Sequence, residues 1–165
     1  MAICYFLNLS LHILHMKQQI TSLFKYENWA NARIIDALSQ LPEPDEKSLE
    51  LMSHILLVQM VWYSRMAGVT APPVWEKKSF QQIKEIYEVN KKILTPFIEK
   101  QTKDTLNSEI NYKNTKGEKY SNTVTQILTH MFNHSTYHRG QIIERMKGKL
   151  PQMPETDYII FVREK

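Results

Sequence analysis

Glycine and proline, the two residues that interrupt regular backbone, occupy only a few short places in this chain. Four glycines and seven prolines occur in 165 residues, and the runs between them are long enough for whole helices. The first helical segment covers about residues 17–40 and stops before Pro42 and Pro44, whose rings remove a backbone N–H. The second covers about 45–68 and is closed by Gly68, after which "VTAPPVWEKK" reads as a long connection. The third covers about 79–100, with Ser79 as its N-cap and Pro96 kinking or shortening its end. The fourth covers about 121–147 and ends at Gly148, with Pro151 beyond. Before it, "NSEINYKNTKGEKYSN" reads as a short β-hairpin around a glycine, and after it the β-branched, aromatic "DYIIFVREK" reads as an extended tail. Four amphipathic helices of this length make an all-α, four-helix bundle.

Composition narrows the function classes. Hydrophobic content of 42% and charged content of 23% are those of an ordinary globular domain. The single cysteine, Cys4, excludes a disulfide framework within the chain and suits a reducing compartment, the cytoplasm. The net charge of +4 is spread without a dense basic run or aromatic-basic interleaving, so nucleic acid is not an expected partner. "MAICYFLNLSLHILH" carries no charged side chain. It is shorter than the roughly 20 residues a membrane span needs, and it lacks the basic start and cleavage site of a signal peptide. Residues 1–15 therefore read as an N-terminal extension outside a domain of residues 16–165, with His12 and His15 as bystanders.

Helical periodicity places polar groups where hydrocarbon is expected. Ile20, Leu23, Phe24, Ala30, Ile34 and Leu38 form one stripe of the first helix, with Glu27 and Asn31 in its middle and Trp29 pointing away. Leu51, Leu57, Val58 and Val61 form the stripe of the second helix, centred on His54. In the fourth helix, Val124, Ile127, Met131 and Ile142 flank His130, His134 and His138, with Gln141 on the same side. Buried polar groups cost roughly 1–3 kcal/mol each when unpaired, so several converging from three helices imply a shared partner.

Histidines four residues apart on a helix have β-carbons about 5–6 Å apart. Both rings of such a pair can reach one ion about 2.0–2.1 Å from each nitrogen. His130 and His138 are about 12 Å apart along the axis, too far to share one ion comfortably. His134 belongs to either pair, and spacing does not choose between His130 and His138 as its companion. A third ligand from a facing helix is expected, and His54 is the remaining histidine within the bundle segments.

"HMFNHSTYHRGQI" at 130–142, with "YENWANARIIDAL" at 26–38, "LELMSHILLVQMVWYSRM" at 49–66 and the "TDYIIFVREK" tail, resembles the DinB family of four-helix-bundle proteins. The resemblance runs from Met16 to Lys165. It implies a divalent metal held by one histidine of the second helix and two of the last, here His54, His134 and His138. It makes His130 a packing or supporting residue one turn before the pair, and it implies a homodimer, in which an outward Trp29 is a candidate contact.

Three imidazoles with no fourth protein ligand leave open positions on the ion, as catalytic sites do. Zinc or nickel suits all-nitrogen ligation. The resemblance implies a thiol-dependent transferase coupling a small cellular thiol to an electrophile, with a metal-dependent hydrolase or a non-catalytic, metal-stabilised bundle as the alternatives. Supporting candidates are Glu27 and Gln141, which can accept the far N–H of a ligating histidine. Arg139 lies about 100° off the ligand face, placed to pair with an acid of a neighbouring helix or to meet an anionic substrate. Gly140 inside a helix suggests close helix contact.

Overall fold

A computed structural model describes residues 2–164, with side chains from His15 onward, so Cys4 and His12 lie outside the described side chains. The elements are α1 (Ala2–Ser39), α2 (Glu46–Ala67), α3 (Phe80–Glu99), α4 (Lys103–Asn107), β1 (Glu109–Lys113), β2 (Lys119–Thr123), α5 (Val124–Met146) and α6 (Tyr158–Arg163). The long helices form the expected bundle: α5 lies against α1 and α2, and α3 lies against the same two helices.

Local chemistry sets the ends. Asp45 caps α2 by accepting from the Ser48 N–H, and Gly68 closes that helix in the left-handed conformation at φ 69°. Ser79 and Gln82 form a reciprocal capping box at the start of α3, as Thr123 and Gln126 do for α5. Pro96 does not stop α3, which continues to Glu99. The last long helix begins at Val124, three residues later than its sequence suggests, because Ser121 to Thr123 pair with β1. The hairpin registers Glu109 opposite Thr123 and Lys113 opposite Lys119.

The C-terminal segment departs from the extended form expected of it. Residues Tyr158–Arg163 are helical. Helical spacing puts Tyr158 and Phe161 on one side, where their rings meet Tyr26 at 5.2 and 5.8 Å, and Phe161 also meets Trp29 at 5.6 Å. Packing onto α1 thus overrides a local β preference. Trp29 is therefore covered by this segment: its Nε1 donates to Glu164 (2.9 Å) and Arg33 lies over its ring.

Hydrocarbon fills the bundle in two storeys. One gathers around Ile34, Leu38, Met52, Leu56, Ile83 and Ile142, the other around Phe24, Leu94, Ile98, Leu128, Met131 and Phe132. Between them in sequence, each long helix contributes buried polar side chains: Glu27 and Asn31, Gln59, Asn90, and Arg139.

Candidate metal centre

His54 comes from the middle of α2, and His134 and His138 from consecutive turns of α5. These two helices make the most extensive contact in the bundle, and the three imidazoles meet across it. One ring nitrogen from each lies within 4.8 Å of the other two. Nε2 of His54 and Nε2 of His134 are 3.0 Å apart. Two ligands about 2.05 Å from one ion stand about 3 Å apart when the angle between them is near 90–95°. Among the described residues, no fourth histidine, cysteine or carboxylate joins the group.

Neighbouring groups fix which nitrogens face inward. Nδ1 of His54 donates to the Val74 carbonyl (2.9 Å), leaving a lone pair on Nε2. Nδ1 of His138 bonds Oε1 of Gln141 (2.7 Å), and as donor there it leaves Nε2 likewise free. The Trp75 indole stacks on His54 with centroids 3.5 Å apart and planes 5° from parallel. Lys47 extends its ammonium over the same indole, and Tyr137 packs edge-on against His138. His134 Nδ1 is buried without a hydrogen-bond partner among the described residues.

Protonation is opposed. Burial is the main cause, and with the neighbouring His138, His54 and His130 it holds the His134 pKa down at about 4. Burial also lowers the His54 pKa, with His138 adding to it, against the Val74 hydrogen bond that raises it. Both rings are neutral at pH 7, the form that ligates metals. Neutral imidazoles, tautomers pinned by Val74 and Gln141, and convergent nitrogens fit a divalent cation. His54 and His134 facing each other with no ion also require one to donate. Val74 already takes the His54 proton, so His134 would donate from Nε2 and leave its buried Nδ1 an unsatisfied acceptor.

The supporting candidates separate. Gln141 bonds His138. His130 is exposed; its ring lies 5.4 Å from Trp62 and 5.7 Å from His134, outside the cluster of three. Glu27 and Arg139 pair with each other. Both are buried, and Arg139 Nη1 donates to Glu27 Oε2 at 2.7 Å. Glu27 Oε1 accepts from Asn31 (3.1 Å) and Gln59 (2.9 Å), while Arg139 also donates to Asn31 and Thr136. Burial works against the Arg139 charge, but Glu27 outweighs it and holds its pKa above the usual value. One position past His138, Arg139 turns inward to α1 while His138 faces α2. Gly140 is not at a close contact, since a Cβ there meets nothing within 4 Å. Val74 and Trp75 sit in a connection without periodicity, so no sequence pattern singles them out. Gln59 and Asn90 are polar residues on apolar stripes, the same signal that exposed Glu27.

The DinB family model matches residues 16–161, most of the chain. The chain belongs to the DinB family. Protein DinB of Bacillus subtilis (strain 168) is 26% identical over 157 residues, covering 85% of this chain and 91% of that protein. The family match begins at Met16 and ends within α6, so it takes in α1 from Met16 onward, the other three long helices, the hairpin and the histidine cluster.

Proposed function

We propose that this DinB-family chain is a metal-dependent enzyme that transfers a small thiol to an electrophile. In this reading, Nε2 of His54, His134 and His138 holds a divalent ion, zinc or nickel. The observation that carries it is the open donor set: three imidazoles from two helices with no fourth ligand among the described residues. Structural sites usually complete four protein ligands, whereas catalytic ones leave a position for water or substrate. The ion supplies Lewis acidity that favours the thiolate form of a thiol placed beside it.

The chain's own groups do the rest. Val74 and Gln141 hold the Nδ1 protons of His54 and His138, which orients both rings. Trp75, half exposed, covers one face of His54 and excludes water from that side. We place the protein in the cytoplasm as a homodimer. No helix among the described residues is long and apolar enough to cross a membrane. The exposed apolar side chains Tyr158, Ile159 and Val162 of α6 offer surface for a second copy.

The test is elemental analysis of metal-depleted and reloaded protein, followed by thiol-consumption assays on the loaded form. About one ion per chain is expected, lost in His134→Ala, with metal-dependent coupling of a thiol to an electrophile. A bound ion without thiol consumption would leave a structural metal, and release of water-cleaved product without thiol would make the protein a hydrolase.

A further inference from the structure

Where α2 meets β1, a guanidinium stands without a counter-ion among the described residues. Arg65 lies in the last turn of α2. Its Cζ is 4.4 Å from the ring centroid of Trp62 and 4.7 Å from that of Tyr112. Those two rings meet edge-to-face at 5.1 Å, so the guanidinium is held in the corner they form. The Tyr112 hydroxyl is itself fixed by donating to Asn122 (2.7 Å). Among the described residues Arg65 makes one hydrogen bond, a long one of 3.3 Å from Nη2 to the Lys113 carbonyl. Arg33, Arg139 and Arg145 each pair with a carboxylate, but among the described residues no carboxylate pairs with Arg65. Burial lowers its pKa, so its surroundings do not compensate the charge.

Its position links it to the histidines. Trp62 touches His130, and His130 touches His134, so the rings trace a line from Arg65 to the cluster. Arg65 is eleven residues beyond His54, about 16 Å along the helix. Both side chains lean towards the helix N-terminus, so that separation is nearly kept. A sulfur about 2.3 Å from the ion and a carboxylate about 4 Å from the guanidinium leave a ligand roughly 10 Å to span. A guanidinium fixed by aromatic faces, with most of its N–H groups unused, is pre-organised for a carboxylate or another planar anion.

We propose that Arg65, seated in the corner of Trp62 and Tyr112, is an anion-binding subsite at the α2/β1 junction and selects a thiol that carries an anionic group about 10 Å from its sulfur. This deepens the thiol-transfer reading and rests on it for the thiol. The anion subsite itself rests on Arg65 alone. Three extended residues span about 10 Å, so the probe is N-acetyl-Cys-Gly-Gly as the free acid, as its C-terminal amide and as the S-methylated free acid. Each is titrated by calorimetry into metal-loaded protein.

The free acid is expected to bind about 10- to 100-fold more tightly than the amide, the scale of one charge-assisted hydrogen-bonding group. Arg65→Gln should erase that preference and Arg65→Lys keep part of it, with both variants checked for native melting. Comparison of acid with amide on the unaltered protein tests the subsite even where a variant fails to fold. Equal affinity for acid and amide overturns the proposal, as does equal loss of both in a folded Arg65→Gln protein or no binding by any of the three. Arg65-dependent binding of the S-methylated acid as strong as that of the thiol would keep the subsite and remove the thiol reading. Thiol binding without an acid preference would do the reverse.

Discussion

Replacing Glu27 by glutamine tests how much of the bundle hangs on its polar storey. The side chain keeps its shape, but one carboxylate oxygen becomes an NH2. The carboxylate is fully buried and accepts from three donors, on Asn31, Gln59 and Arg139. An amide has one acceptor oxygen, so Arg139 loses its counter-charge or meets a donor. Breaking a buried pair by removing one partner costs about 3–5 kcal/mol, because the other charge stays in the interior. At roughly 2–4 °C per kcal/mol for a chain of this size, the melting temperature should fall by about 10 °C. Glu27→Gln combined with Arg139→Met removes the stranded charge and leaves an amide that can still accept from Asn31 or Gln59. The double variant should recover at least half the loss; since Arg139→Met alone strands the buried Glu27 carboxylate at a similar cost, the coupling in a urea-unfolding cycle should be at least about 4 kcal/mol. A single-variant cost below about 1 kcal/mol, or strict additivity in the cycle, would refute the idea that the two charges depend on each other.

Other perturbations have distinct signatures. Gly140→Ala adds a methyl group to open space on a helix and should stabilise by about 0.4–1 kcal/mol; a drop in melting temperature would show a contact at that position. Gln141→Leu removes the acceptor that orients His138 and should weaken metal binding about 10- to 100-fold in chelator competition, whereas unchanged affinity would leave Gln141 without that role. His134 has a pKa of about 4 in the fold against 6.5 ordinarily. The unfolded chain therefore binds more protons between those values, and stability is full above about pH 6.5 and lost as pH falls towards 4. Thermal melts of metal-free protein at a series of pH values should show that slope, reduced in His134→Asn; a slope indifferent to the substitution would exclude His134 as its source.

Periodicity carried much of the site because helices repeat. Once His54, His134 and His138 are on the inward faces of two segments, packing those segments brings the rings together. Spacing alone could not decide between His130 and His138, since both stand one turn from His134. The neighbour across the seam decides: Trp62 lies opposite His130, and His54 lies opposite the other two. Glu27 and Arg139 were each visible as polar residues near an apolar stripe, but their pairing depends on the axial level at which α1 meets α5. Neither helix records that level by itself. The helical tail follows the same logic. Residues 158–163 carry β-branched and aromatic side chains, and only the rings of Tyr26 and Trp29 on α1, which the segment covers, make a helix the better fit. Trp75 had no periodic context at all.

The connection between α2 and α3 reaches back to grip His54 with one carbonyl and one indole. If an ion tightens that grip, thermodynamic reciprocity requires the gripped loop to retain the ion by the same factor. A stretch that looks disposable, rich in proline and outside every helix, would then act as a latch. Shortening it would raise the rate at which metal escapes, and the emission of Trp75 would report whether the latch is closed.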